Sequence, residues 1–286
     1  MSAGSSAGEG TDMAYAHNTG DITFRNNTRY NSYIGGIVGC AEEIFTMDYA
    51  NNSGDLIIRS ITISHQSWIG GILGGFNVGN TTTKSAALTV TGCVNSGDID
   101  CPNASSGANM AAASSSVTSF SYMGGISGVG DCGYKQFINC SNSGHIAVYN
   151  QIKMRLGGVV GYVTNNPTGC VNTGPINYCR YKGPGNSGAS VVGGIMGYTG
   201  IATPHDLTND ATVRTTGSSP ASLCGGIAGQ VGGDTTGFEN CNVGSSTGSQ
   251  KTISGAGEGN WEKANAAGLF TSVSSSRAWD FTGCNF

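Results

Sequence analysis

The sequence predicts an all-β chain: a β-solenoid of about seven units of roughly 33 residues, stacked as a right-handed parallel β-helix. Three observations carry this. Two short phrases alternate along nearly the whole chain, and one of them holds a branched aliphatic residue at a fixed place. Glycine is in large excess and charge is scarce. Of 286 residues 48 are Gly and 10 % are charged, against usual shares of about 7 % and 25 %.

The first phrase opens as Gly35-Gly36-Ile37-Val38-Gly39. It returns from Gly70, Gly124, Gly157, Gly193 and Gly225, with a degenerate copy at Ala267-Gly268-Leu269-Phe270. Its third place is always Ile, Val or Leu, as expected of an inward side chain. The fourth runs from Ser127 to Met196 and Phe270 and reads as less constrained. The second phrase precedes the first within each unit, as Asn18-Thr19-Gly20, Asn52-Ser53-Gly54, Asn95-Ser96-Gly97, Asn142-Ser143-Gly144 and Asn172-Thr173-Gly174. Only fragments remain around Asn209 and Asn242.

β-Branched residues amid glycine argue for short strands rather than helices. Asn-x-Gly offers residues that tolerate positive φ, which is turn chemistry, and Asp55-Leu56-Ile57-Ile58 reopens a strand after it. One such unit cannot bury its apolar face alone, so units must stack, about 4.8 Å apart and roughly 35 Å in all. A propeller is the rival at this period, but its blades need four strands. Residues 1–12 read as a flexible leader and 13–286 as one domain. Stretches 80–87, 100–116 and 244–260 read as insertions. Phe281-Thr282-Gly283-Cys284-Asn285 resembles the opening of a further unit.

Composition excludes other classes. Gly costs about 1 kcal/mol per helical position, which disfavours a helical bundle, and the glycines lack the three-residue period of collagen. With 13 Lys plus Arg against 17 Asp plus Glu, no basic face for nucleic acid can be built. The chain is 38 % hydrophobic with a net charge of only -4, unlike a charge-driven disordered chain. No apolar run reaches the 18 or so residues of a membrane span, and no signal peptide is visible at the start.

The pattern Gly-Gly-aliphatic-variable-Gly, followed by Asn-Cys-x-Asn-x-Gly-x-Ile, resembles the GLUG repeat over roughly residues 16–286. That resemblance implies a secreted or cell-surface bacterial protein, adhesin-like. It carries no catalytic residues onto this chain.

Of ten cysteines, Cys93, Cys140, Cys170, Cys241 and Cys284 share a place that holds Ala16 and Ala50 in the first two units. A site alternating between Cys and Ala is a small buried slot. Cys224 takes the place of Ile34, Ile69, Met123, Leu156 and Val192. Cys40, Cys101, Cys132 and Cys179 are left, with one or two disulfides open among them.

Two candidate sites stand out. Tyr33, Trp68, Tyr122 and Arg155 lie two places before the first Gly of successive units. They would form either an aromatic platform for sugar rings or, sharing parity with the inward aliphatic, a buried core column. Asp21, Asp55 and Asp98 follow the turn glycines and would stack about 5 Å apart, as calcium ligands or as turn residues accepting backbone amides. His17, His65, His145 and His205 show no metal spacing.

The expectation is therefore a non-catalytic extracellular stalk or adhesin without cofactor, binding a glycan or a host or neighbouring cell-surface protein. A polysaccharide lyase or glycosidase is the alternative, and an end-to-end assembling fibre subunit the second alternative.

Overall fold

The structure, a computed structural model, describes residues 10–25, 32–42, 44–59, 66–77, 86–101, 121–129, 134–150, 154–165, 167–180, 190–201, 204–217, 222–234 and 239–243. The copy of the glycine phrase at 267, Cys132 and Cys284 lie outside them. Among the described residues every element is a strand and every pairing is parallel. The strands of successive units form five rows. The first row is Thr11–Ala14, Ile44–Asp48, Ala87–Thr91 and Tyr134–Ile138, prolonged by bridges through Thr168, His205 and Glu239. The second is a run of seven two-residue strands from His17–Asn18 to Asn242–Val243. Six strands make the third row, from Ile22–Phe24 to Val213–Gly217, and six the fourth, from Ser32–Gly35 to Ser222–Gly225. The fifth begins with Val38–Glu42 and Leu73–Asn77, passes through Ser127, and continues to Ala228–Asp234. This row-by-row parallel order is consistent with a β-helix-like fold.

The alternating phrases are two halves of one packing arrangement. Asn18, Asn52, Asn95, Asn142, Asn172 and Asn209 point inward from the second row. Each donates one Nδ2 hydrogen to the Oδ1 of the next, over 2.7–2.9 Å. The other hydrogen goes to the carbonyl two residues on, from Gly20 to Ala211, at 2.8–3.1 Å. All but Asn18 are fully buried. In the seventh unit the register sets Val243 opposite Asn209, and the chain of amides stops there.

Across the interior, the second glycine of each first phrase faces the asparagine of the following unit. A Cβ on Gly36 would lie 2.8 Å from Asn52 Oδ1, and one on Gly71, Gly125, Gly158 or Gly194 would run into Asn95, Asn142, Asn172 or Asn209. Apolar side chains fill the space on either side. One cluster holds Met47, Val90, Phe137, Ile126 and Ile195, and the other Leu56, Ile99, Ile146, Met123 and Val192.

Two sequence expectations change. The fourth place of the glycine phrase is not loose: Val38, Leu73, Ser127, Val160, Met196 and Ala228 are all buried beside the third-place residues. The chain bends at the glycines, so alternation does not run through the phrase. Nor does Asn-x-Gly supply positive φ. That conformation sits three residues before the asparagine, at Tyr15, Tyr49, Gly92, Asn139, Gly169 and Asp206, and again at Asn240. The glycine of Asn-x-Gly is there for proximity, since a Cβ on Gly97 or Gly144 would strike the carbonyl of the preceding unit's turn.

Cys93, Cys140, Cys170 and Cys241 are buried in the first cluster with Ala50 and Leu207 at the matching places. Their thiols donate to backbone carbonyls, as Cys140 Sγ does to Val90 O at 3.4 Å. Cys101 is a free, buried thiol.

Space rather than turn geometry sets these glycines, so they are not interchangeable. Gly125→Ala is expected to cost about 3 kcal/mol or more by overpacking. Gly20→Ala, whose Cβ meets nothing nearer than 3.9 Å, should melt within a degree or two of the parent. Denaturant titration of both variants checks this.

Candidate functional site

Each candidate residue sits where the five rows place it. Tyr33, Trp68, Tyr122 and Arg155 are direct register neighbours in the fourth row. They do not share the inward side with the third-place aliphatics, because counting by two from one to the other crosses the glycine bend. Ile34, Ile69, Met123 and Leu156 point into the second apolar cluster, while the aromatics form a cluster of their own with Tyr162 and Tyr198 of the fifth row.

This column is continuous over five units, although its members change strand. Tyr33 stacks on Trp68 at 4.6 Å and Trp68 on Tyr122 at 5.8 Å. Tyr162 then succeeds Tyr122 at 5.7 Å, and Tyr198 stacks on Tyr162 at 5.0 Å. The Arg155 guanidinium lies over the rings of Tyr198, Tyr162 and Tyr122, at 4.0, 4.7 and 5.8 Å, a set of cation–π contacts. Volume is traded between the rows. Where the fourth row carries Tyr33 and Trp68, the fifth carries Cys40 and Gly75. A Cβ on Gly75 would lie 2.7 Å from Tyr33 and 2.9 Å from Trp68. Where the fifth row carries Tyr198, the fourth carries Val191. Trp68, Tyr122 and Tyr162 are buried. The inner rings thus spend their faces on one another and have none left for a sugar.

Asp21, Asp55 and Asp98 use their carboxylates between units. Asp21 Oδ1 accepts the amide of Asp55 at 3.0 Å, Asp55 Oδ1 that of Asp98 at 2.8 Å, and Asp98 Oδ1 that of His145 at 2.8 Å. Among the described residues no group of three or more His, Cys, Asp or Glu is placed to hold a metal ion.

Asp55 and Asp98 of this column line an open groove of about 330 Å³ together with Asp100, His145, Ile57 and Ala147 and the backbone of Ile99. The His145 ring is held by Asn177 at 2.8 Å. Burial raises the Asp100 carboxyl above its ordinary range, and His145 and Arg59 partly offset this. Asp100 and His145 were not legible as site residues. Asp100 lies in the strand after the turn, and only the register brings it beside Ala147 and hence His145.

A second surface array was missed for the same reason. Thr168 Oγ1 meets His205 Nε2 at 3.0 Å, His205 Nδ1 meets Asp206 Oδ2 at 2.8 Å, and Asn240 donates to Asp206 Oδ1 at 3.1 Å. Hydrogen bonding from His205, then from Asn240, lowers the Asp206 carboxyl. Thr168, His205 and Glu239 are bridge partners on successive units, so these bonds tie three units together along the surface.

Comparison with protein-family models, with curated proteins and with solved structures finds no match.

The Asp100 shift has a definite sign. The folded chain keeps the proton to higher pH than the unfolded chain, whose carboxyl titrates near 3.9. Stability from this group is therefore full below that pH and falls as pH rises through the folded value. Asp100→Asn should melt above the parent at pH 7, with the gap closing at pH 3. A gap of equal size at both pH values would contradict it.

Proposed function

We propose that the chain is a right-handed parallel β-solenoid of GLUG-type repeats, placed on or outside a bacterial cell. In this reading it is a non-catalytic stalk or adhesive rod that holds a glycan. One observation carries the reading: six inward asparagines join successive units through an unbroken run of amide hydrogen bonds. A repeat array built this way is stiff along its axis and frees its outer surface for contact. The chain is poor in charge and rich in Ser and Thr, which suits a polyhydroxylated ligand better than an ionic one.

The groove of Asp55, Asp98, Asp100 and His145 supplies the site. Carboxylate oxygens accept from sugar hydroxyls, the Ile57 and Ala147 side chains meet C–H surface, and the open shape lets a polymer enter from the side. Asp100 is the residue to test, because its backbone partners are independent of its carboxylate.

A glycan array decides the matter. The expected result is retention of one glycan class. Asp100→Asn should then bind about tenfold more weakly, the worth of one charged hydrogen bond at about 1.4 kcal/mol. No retention anywhere would overturn the reading. Release of reducing ends or unsaturated sugars would replace it with a lyase or glycosidase, and scattering that grows with concentration with a fibre subunit.

A further inference from the structure

Two large apolar side chains stand exposed among the described residues: Tyr15 at 76 % and Tyr49 at 54 %. They occupy the same place in consecutive units, the corner that leads into the second row. Both are held at positive φ, 56° and 55°. The other units fill that corner with Gly92, Asn139, Gly169, Asp206 and Asn240, the residue types that accept a left-handed conformation most readily. An ordinary side chain there is strained. Burial could offset such a cost, but these rings are not buried. Stacking returns only part of it, so the fold by itself favours Asn or Gly at both positions.

The pair is nonetheless packed against its surroundings. The rings lie 5.5 Å apart at an interplanar angle of 13°. Tyr49 leans over Gly92, where a Cβ would come 2.7 Å from its ring carbons. Any side chain in the third unit's corner would push the stack aside. Tyr15 has one face against Tyr49, and at 76 % exposure its opposite face is turned to solvent. Strained, exposed residues held in place by their neighbours are characteristic of ligand sites. Tyrosine offers a rigid apolar face with a polar tip at little entropic cost.

We infer that the Tyr15–Tyr49 stack is a carbohydrate-binding element, with the C–H face of a pyranose ring lying on the open face of Tyr15. The phenolic oxygens and His17, exposed two residues on, meet the sugar's hydroxyls. A macromolecular interface is the poorer fit. A stable one takes roughly 800 Å² from each partner, and two rings of about 150–250 Å² each, already stacked, present a fraction of that. The inference rests on the reading of the chain as a glycan binder and adds a site apart from the carboxylate groove.

The test is the double variant Tyr15→Asn/Tyr49→Asn. Asparagine already serves this corner in two other units, so folding is not the obstacle. Wild type, the double variant and Asp100→Asn are compared on an immobilised glycan array and by thermal melting. The expected result is at least about tenfold weaker glycan retention by the double variant, the effect of losing one stacking contact of about 1.4 kcal/mol. Its melting temperature should equal or exceed that of wild type.

Retention like wild type would overturn the site, as would a lower melting temperature, which would make the stack a structural element. Self-association that disappears in the double variant while glycan retention persists would overturn it too. If wild type retains glycan and only Asp100→Asn weakens it, the tyrosine site falls and the glycan reading stands. If wild type retains none, both fall.

Discussion

Everything in this molecule is arranged around one inward-facing amide per unit. Each asparagine of the ladder spends its two N–H groups in fixed directions, one to the neighbouring unit and one to its own turn, and its oxygen accepts from the unit before. A buried amide in this state is satisfied, whereas one out of register is not, and leaving such groups unpaired costs about 1–3 kcal/mol each. The ladder therefore sets the register of the second row. Because each asparagine also fills the space in front of a glycine pair, it sets the width of the interior as well. The two apolar clusters pack on either side of a seam whose dimensions leave no room for a Cβ.

This explains why two phrases must alternate. Asn95 needs Gly71 opposite it and Asn142 needs Gly125. A unit that kept one phrase and lost the other would have either a void or a clash at the seam. The aromatic column obeys a similar rule in its own cluster, where a bulky residue in the fourth row is matched by Cys40 or Gly75 in the fifth. When the bulk moves to Tyr162 and Tyr198, Arg155 bridges the change.

Much of this layout was legible. The recurrence of Ile at the third place identified buried strands, and the Cys–Ala exchange identified a small core slot. The role of the asparagine was not, because Asn-x-Gly is also good turn chemistry. The signal was there in a different form: a turn would admit Asp or Ser as readily as Asn, yet six units hold Asn. Only a side chain with an acceptor and two donor hydrogens can bond both the next unit and its own turn. The left-handed corner was hidden because tyrosine holds it in two units. The aromatic column could be read as a platform or as a buried column, and which cluster buries it was not legible because a bend breaks the count by two. The groove is a product of register, joining Asp98 and Asp100 of one unit to His145 of the next, and no linear spacing shows it.

The most direct measurement is the unfolding free energy of Asn95→Leu. The substitution keeps the volume and adds apolar surface, so a seam held by packing alone would be unharmed. If the amide ladder holds the register, Asn52 Nδ2 and Asn142 Oδ1 both lose their partner, and the variant should lose about 2–4 kcal/mol. Stability equal to or above that of the parent would contradict the central place given to the ladder.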